Sequence, residues 1–285
     1  MACVGRPHST PNNPLMKKTQ ALLLTSVLAA ATCFAAESPF TLALQAYTFK
    51  DRSMVETLEV AKRLGFTAIE LTPVQKLGGT FKGSVKYSDM TPETVTAVRA
   101  YLDACGVKAV SYGVVNEASE AGWRKQFEFV RALGIGMILT EPPPEQLPLI
   151  DKLAQEYKIR VHLHNHAKTN PWYDPAFMAE KVAACSEWVG AGADIGHWVP
   201  AGINPAEGIH QLAKSRIFSL HFVDTDRSGK PVPYGTGVGS LKSVLDVLKA
   251  KKYPVLLTLE YEQWDDFTEK NVRACVQWFE TQTKK

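Results

Sequence analysis

From Phe40 onward the chain alternates short apolar runs, rich in β-branched residues, with longer amphipathic stretches. The short runs are typical of buried strands, and the longer stretches carry apolar residues three and four positions apart, which is the period of a helix. Strands that alternate with helices predict a parallel sheet covered by helices. The eight predicted strands are Leu42–Phe49, Thr67–Leu71, Val107–Val114, Met137–Thr140, Arg160–His164, Gly192–Ile195, Ile217–Phe222 and Val255–Glu260.

The stretches between and after these strands predict eight helices. They are Met54–Leu64, Thr91–Cys105, Glu120–Leu133, Pro144–Tyr157, Asp174–Val189, Pro205–Ala213, Ser240–Lys251 and Asp266–Thr283. Eight repeats of strand and helix within about 250 residues favour an α/β fold of the (β/α)8 TIM barrel type. A doubly wound open sheet is the alternative, because periodicity along a sequence does not reveal whether a sheet closes.

Three long irregular stretches each follow a predicted strand. They are Pro73–Asp89, Ala167–Tyr173 and Asp224–Gly239. In a barrel the loops after the strands form the active face. Gly78, Gly79 and Gly83 in the first stretch predict a mobile loop.

The first 35 residues are typical of a targeting segment rather than of a folded element. Lys17 and Lys18 follow Met16, an apolar run over residues 21–31 is too short to span a bilayer, and Cys33-Phe34-Ala35 resembles a small-residue cleavage site. We therefore expect translation from Met16, cleavage after about Ala35, and a periplasmic or secreted single catalytic barrel over residues 36–285, with no membrane span in the mature chain.

Composition narrows the classes of partner. The chain is 45% hydrophobic and 21% charged, which is ordinary for a globular protein with a sizeable core. Its 32 basic and 29 acidic residues leave a formal net charge of +3, so the composition gives no indication of the basic surface that binds a nucleic acid. Three cysteines beyond the leader, Cys105, Cys185 and Cys275, make no disulfide framework.

Residues that can bind a metal recur where the predicted strands end. Histidines stand at positions 162, 164 and 166, and further histidines and carboxylates close later strands. In a barrel these strand ends share one face, so they predict one site with carboxylate and imidazole ligands, a set that suits Mn²⁺, Mg²⁺, Zn²⁺ or Fe²⁺. The strand-end residues are Glu70, Glu141, His164, Asp194, His221 and Glu260.

Several of these residues have a second explanation that the sequence leaves open. Glu141 precedes three prolines and could cap the next helix. His162 could be a hydrogen-bonded histidine inside the barrel, which we favour. Asp194 and His197 could form a local pair. The structural explanation is weaker for His221 and Glu260, since each closes an apolar strand that has no other polar requirement.

Short motifs stand at or near these positions, namely QAYTF at 45–49, HNH at 164–166, DIGH at 194–197, SLHFVD at 219–224 and LEY at 259–261. Together they resemble the xylose isomerase-like (sugar phosphate isomerase/epimerase) family of TIM barrels. The resemblance extends from about Leu42 to Phe279, nearly the whole mature chain.

The resemblance implies one divalent ion bound at the ends of strands five to eight. Members of the family typically use glutamate, aspartate, histidine and glutamate there, and the matching positions are His164, Asp194, His221 and Glu260. Glu141, one strand earlier, is a further candidate ligand that could replace the missing carboxylate. His197 resembles a histidine that contacts substrate in relatives.

Two positions depart from the family pattern. His164 stands where epimerases carry a glutamate that both binds metal and moves a proton, which weakens the expectation of their paired-glutamate mechanism. Val223 stands where many relatives have lysine, which favours a neutral over an anionic sugar. Aromatic residues near the predicted strand ends could pack against such a sugar: Tyr47, Trp172, Trp198, Phe222, Tyr234 and Trp264.

The expected activity is that of a metal-dependent sugar isomerase or epimerase that removes a proton beside a carbonyl, with Glu260, His166 and His197 as candidate bases. A 3-keto-glycoside eliminase or hydratase is the alternative on the same barrel, because elimination begins with the same step. A non-catalytic carbohydrate-binding barrel is another. A metal-dependent abasic-site endonuclease, which the resemblance also allows, fits poorly with an export signal and a near-neutral chain.

Overall fold

Eight parallel strands close into a barrel in the computed structural model, which describes residues 40–166, 168, 170–213, 215–252 and 255–284, all within the unit Ala35–Lys285. The predicted leader, Met16 and the cleavage site at Ala35 lie outside the described residues. Across those ranges the strands are β1 (Thr41–Gln45), β2 (Ala68–Leu71), β3 (Lys76–Gly78), β4 (Phe81–Ser84), β5 (Lys108–Tyr112), β6 (Met137–Thr140), β7 (Arg160–Leu163), β8 (Val189–Asp194), β9 (Ile217–Phe222) and β10 (Leu256–Leu259).

The order of the barrel strands confirms the predicted TIM barrel and excludes the open sheet. It runs β1-β10-β9-β8-β7-β6-β5-β2, and β1 pairs in parallel with both β10 and β2. Helices connect the strands as predicted. Within the described ranges they are α1 (Met54–Arg63), α2 (Pro92–Cys105), α3 (Glu120–Ala132), α4 (Leu147–Tyr157), α5 (Pro175–Ala183), α6 (Pro205–Leu212), α7 (Leu241–Lys251) and α8 (Thr268–Thr283).

Element boundaries differ most from the predicted ones in two regions, for local reasons. The first apolar run leaves the sheet at Gln45, whose side chain accepts a hydrogen bond from Tyr47 N and starts a short 3₁₀ helix over Ala46–Phe49. Helix α5 ends at Ala183, and β8 begins earlier than predicted because its first residues, from Val189, are small or apolar and buried on both faces. Within the described residues, no helix has the length and apolarity needed to cross a membrane. The three cysteines described are free thiols.

The prediction of a mobile loop over Pro73–Asp89 was wrong. Strands β3 and β4 form an antiparallel hairpin there, with Lys76 opposite Ser84. Gly78 and Gly79 make its turn with φ values of +77° and +59°, which glycine adopts without steric cost. Leu77 is fully buried. The hairpin is therefore a folded element at the carboxyl-terminal face of the barrel, where it follows β2.

The barrel interior carries polar as well as apolar side chains. His162 points inward from β7, and its Nδ1 pairs with Ser219 Oγ, as expected for a structural histidine. Complete burial lowers the pKa of His162 to about 3, so the ring is neutral at ordinary pH. Its Nε2 makes no hydrogen bond to the described residues.

Gln75 connects the hairpin to the first βα unit. Its fully buried side chain places Nε2 3.2 Å from Phe49 O, 3.1 Å from Arg52 O and 2.7 Å from Thr57 Oγ1. These contacts hold the 3₁₀ turn that carries Tyr47 against the start of α1.

We expect Gln75→Leu to lower the free energy of unfolding by about 2 kcal/mol, because buried carbonyl groups lose their donor. Urea unfolding followed by circular dichroism measures this. Gln155→Leu, on the exposed face of α4, is the matched control and should change stability by less than about 0.5 kcal/mol. Equal stability of the two variants would contradict a stabilising role for the hydrogen bonds of Gln75.

Candidate functional site

Four predicted ligands converge at the carboxyl end of the barrel. His164 follows β7, Asp194 ends β8, His221 lies near the end of β9, and Glu260 follows β10. His221 Nδ1 lies 2.8 Å from Glu260 Oε2, 3.2 Å from His164 Nε2 and 3.8 Å from Asp194 Oδ2. His164 Nε2 lies 3.9 Å from Asp194 Oδ2. We call these four side chains the inner cluster, and all of them are buried.

Two further carboxylates bind the outer nitrogens of the two histidines. Glu70 Oε1 lies 2.7 Å from His221 Nε2, and Glu141 Oε1 lies 2.7 Å from His164 Nδ1. Glu70 is fixed from both sides, because Gln45 Nε2 donates to it at 2.5 Å and Ser111 Oγ at 2.6 Å from neighbouring strands. An ionised carboxylate only accepts hydrogen bonds, so each outer ring nitrogen carries a proton.

The protons on the outer nitrogens determine whether the inner nitrogens can bind a metal ion. A neutral imidazole with its proton on one nitrogen has a lone pair on the other. His164 Nε2 then presents a lone pair inward. His221 Nδ1, 2.8 Å from Glu260 Oε2, carries a second proton on its ring, and a metal cation would displace that proton and take up the lone pair. Four electron-pair donors facing one space fit a cation, and this donor set suits a divalent ion.

Titration of the inner cluster reflects its burial and its charges. Burial alone would lower the pKa of His221, but Glu70 and Glu260 outweigh it and raise that pKa well above its usual range. Burial would raise the pKa of Asp194, but His197 and His221 lower it below its usual value. The pKa of His164 is lowered, mainly because its ring is buried.

Glu141 lies outside the inner cluster, on the far nitrogen of His164. It also accepts from Asn170 Nδ2 at 2.6 Å and contacts His166 Nδ1 at 2.5 Å. Burial raises its pKa, but the hydrogen bonds from His164 and His166 lower it to about 2. Glu141, His164 and His166 also have their ligand atoms within 4.8 Å of one another. Direct metal binding by Glu141 therefore stays a prediction, while its contact with His164 is evident.

The two candidate proton carriers lie beside the inner cluster. The rings of His166 and His197 are 4.9 Å apart, and His197 Nε2 lies 3.7 Å from Asp194 Oδ2. The predicted local pair of Asp194 and His197 is present as well, because Asp194 Oδ1 accepts from the backbone N–H of His197 at 3.3 Å. The His166 side chain is 51% exposed, so it is accessible from solvent.

A cavity of about 240 Å³ opens above the inner cluster. His166, His197 and Glu260, the three candidate bases, line this cavity. Further lining residues were not predicted as part of the site, namely Gln45, Thr72, Pro73, Val74, Gly113, Val114 and Glu262.

Glu262 is the carboxylate that sequence reasoning overlooked. It is partly buried and makes no hydrogen bond or ion pair with the described residues. Burial and the nearby Glu260 and Asp194 raise its pKa. Its position two residues after Glu260 was the available signal, because alternate residues of an extended segment share a face.

Most of the aromatic residues proposed to contact a sugar belong to the hydrophobic core. Trp172, Trp198, Phe222 and Tyr234 are buried, so that expectation was wrong for these four. Tyr47 lines the cavity. The Trp264 ring stands edge-on to the Tyr47 ring, with the two ring centroids 5.7 Å apart. Lys50 Nζ lies 3.3 Å from the Trp264 ring centroid and covers one face of that ring. Tyr47 is therefore the aromatic residue of this set that can contact a ligand in the cavity.

Known structures share this architecture. An uncharacterized protein from Parabacteroides distasonis is 26% identical with a TM-score of 0.71, over 86% of this chain and 99% of that one. A D-tagatose 3-epimerase-like protein is 18% identical with a TM-score of 0.66, over 85% and 97%. A xylose isomerase-like TIM barrel protein from Mycobacterium smegmatis in complex with magnesium is 13% identical with a TM-score of 0.65, over 87% and 99%.

No curated protein matches the sequence significantly. The family model described as xylose isomerase-like TIM barrel matches residues 58–282, which include β2 to β10 and all four side chains of the inner cluster. The chain therefore belongs to the xylose isomerase-like TIM barrel family.

Proposed function

We propose that this protein is a metal-dependent enzyme that removes a proton beside a carbonyl group of a neutral carbohydrate. The observation that carries the proposal is the inner cluster, in which two imidazole nitrogens and two carboxylates face one space. A divalent ion bound there would polarise the carbonyl and hydroxyl oxygens of the substrate and acidify the adjacent carbon-bound proton.

The chain's own residues would bind the sugar and move the proton. His164, Asp194, His221 and Glu260 would hold the ion, and the Tyr47 ring would face the sugar. His166 and His197 line the cavity without belonging to the inner cluster. An imidazole that is not bound to metal can take up a proton near neutral pH, so these two histidines, together with Glu260, are the candidate bases.

The class of substrate is supported by similarity and by charge. A D-tagatose 3-epimerase-like protein is among the structural relatives, which favours carbohydrate chemistry. Val223 stands where many relatives have lysine, and its buried aliphatic side chain supplies no charge to bind a phosphate. The apolar leader and its small-residue end support a periplasmic or secreted location.

Elimination or hydration of a 3-keto-glycoside is the second candidate. His164 replaces one of the two glutamates that epimerases use, and removal and return of a proton on opposite faces need two such groups. Removal from one face alone is enough to expel a leaving group from the neighbouring carbon, so β-elimination remains possible with one base.

We expect His221→Ala and Glu260→Ala to lose most of the bound divalent metal. The metal-free Glu260→Ala protein should melt near the wild-type temperature, whereas metal-free His221→Ala should melt lower because the buried Glu70 loses one of its partners. Each change removes a donor from the inner cluster without altering the apolar residues of the strand. Mass spectrometry of the purified proteins measures metal content, and thermal melting measures stability. His210→Ala, on the exposed face of α6, is the control. Unchanged metal content in both test variants would reject the site.

Glu141→Gln should weaken metal binding by about 10- to 100-fold, the usual effect of losing a carboxylate that orients a ligand histidine. The amide cannot fix the protonated Nδ1 of His164 as firmly as the carboxylate does. Calorimetric titration of the metal-free protein with Mn²⁺ measures the change. Glu145→Gln, an exposed residue on the same segment, should bind Mn²⁺ like the wild type. If the two variants bind equally, Glu141 neither orients His164 nor binds the ion.

Metal-loaded protein should exchange a carbon-bound proton of its substrate with solvent. Ketoses and 3-keto-glycosides incubated in deuterated water, followed by proton NMR, would reveal the exchange, and the products would separate isomerisation from loss of the aglycone. The His221→Ala protein is the control for metal-independent exchange. If sugars bind but none exchanges a proton or turns over, the protein is a carbohydrate-binding barrel.

A further inference from the structure

A second cavity of about 290 Å³ adjoins the candidate site at the same end of the barrel. Pro73, which follows β2, and Val114, which follows β5, line both cavities and form the wall that they share. The other side of the second cavity is built by the segment after the hairpin and by α3, through Tyr87 and Gln126.

The lining of the second cavity is rich in groups that bind hydroxyls. It combines an aromatic ring with amide, hydroxyl and charged side chains, namely Lys86, Tyr87, Ser88, Asn116, Glu117 and Gln126. One lysine and one glutamate balance each other, so the lining carries no net charge to attract an anion. This mixture of a ring and neutral hydrogen-bonding groups matches the surface of a neutral sugar better than that of a phosphate or a lipid.

Gln126 supplies a hydrogen-bond donor that the protein itself leaves unused. Its side chain is only 2% exposed, and Nε2 has no hydrogen-bond partner of good geometry in the described part of the chain. The Tyr112 hydroxyl donates to Val85 O at 2.6 Å, and its oxygen can accept one of the two Nε2 hydrogens, which leaves the other hydrogen without an acceptor. An unpaired buried donor costs free energy that a ligand hydroxyl would recover.

Asn116 links the second cavity to the candidate site. Its Oδ1 accepts from Thr140 Oγ1 at 2.8 Å and from the Glu141 backbone N–H at 3.2 Å, so the amide is held in one orientation. The same glutamate contacts His164 of the inner cluster. The two cavities therefore share both a wall and a hydrogen-bonded connection.

Size also favours using the two cavities together. Small-molecule sites usually occupy roughly 300–1,000 Å³. The volumes of about 240 and 290 Å³ each fall below that range, whereas their combined space lies inside it.

We propose that the second cavity is a carbohydrate subsite, so that the substrate is a glycoside of two sugar units rather than a single monosaccharide. The reacting unit lies over the inner cluster, and its partner unit passes Pro73 and Val114 to place a hydroxyl on Gln126. The inference rests on the proposed function in one respect only, since that function assigns a sugar to the first cavity.

Equilibrium binding tests the subsite without requiring turnover. Calorimetry on Mn²⁺-loaded protein would compare each methyl monosaccharide in a panel with gluco-, galacto- and manno-configured disaccharides that contain it. At least one disaccharide should bind ten or more times as tightly as its monosaccharide. Gln126→Leu should reduce that ratio about tenfold, while Gln155→Leu should leave it unchanged.

A second variant covers the possibility that Gln126→Leu folds poorly. Ser88 is exposed at the edge of the second cavity, and Ser88→Trp should fill it and reduce the ratio in the same way. The subsite is rejected if no disaccharide binds more tightly than its monosaccharide. It is also rejected if the ratio of disaccharide to monosaccharide affinity is unchanged by both substitutions. A disaccharide preference without proton exchange would support the subsite and reject the proposed chemistry.

Discussion

The contact between two imidazole rings is the interaction on which the site depends. His164 Nε2 and His221 Nδ1 are 3.2 Å apart, although each ring has its other nitrogen committed to a carboxylate. With Glu141 and Glu70 holding the outer protons, the inner nitrogens would repel each other and the nearby Asp194 unless a positive charge lay between them. A proton on His221 Nδ1 beside Glu260 supplies that charge, and a metal ion would replace it. The same contacts that fix the ring tautomers thus create the demand for a positive charge.

The barrel makes such an arrangement possible because it brings distant strands into register. Glu70 sits opposite Gln45 on one neighbouring strand and Ser111 on the other, and both side chains hydrogen-bond to it. A buried carboxylate without partners would be costly, and these donors together with His221 offset that cost. The core of the barrel therefore supports the outer ring of the site, and the inner cluster is built on it.

The sequence alone predicted those parts of the molecule that depend on local pattern. Ile217–Phe222 and Met137–Thr140 were predicted with the bounds that the structure has, because continuous apolar runs of that length are typical of buried strands. The position of His221 near the end of its strand followed from the same pattern. Once a barrel was predicted, parallel strands placed the later strand ends together, and this gave the inner cluster.

Other parts depend on three-dimensional contacts that leave no periodic signal. The inner nitrogens of His164 and His221 meet across 57 residues of chain, and no pattern shows which nitrogen faces inward. Ser111 and Gln45 look like ordinary strand residues until Glu70 is placed between them. The hairpin of β3 and β4 was missed because its strands are short and its glycines are equally typical of a loop.

The replacement of a glutamate by His164 changes the charge of the ligand set and reduces the number of carboxylates that could act as a base. The family's usual set of two glutamates, one aspartate and one histidine gives three negative charges, which exceed those of a divalent ion by one. Here two neutral imidazoles and two carboxylates would balance a divalent ion without excess. A ligand set without surplus negative charge would withdraw more electron density from a carbonyl bound to the ion, and it has lost one carboxylate that could serve as a base. Under the proposed function this favours His166 and His197, which line the cavity outside the set of ligands, over Glu260 as the base.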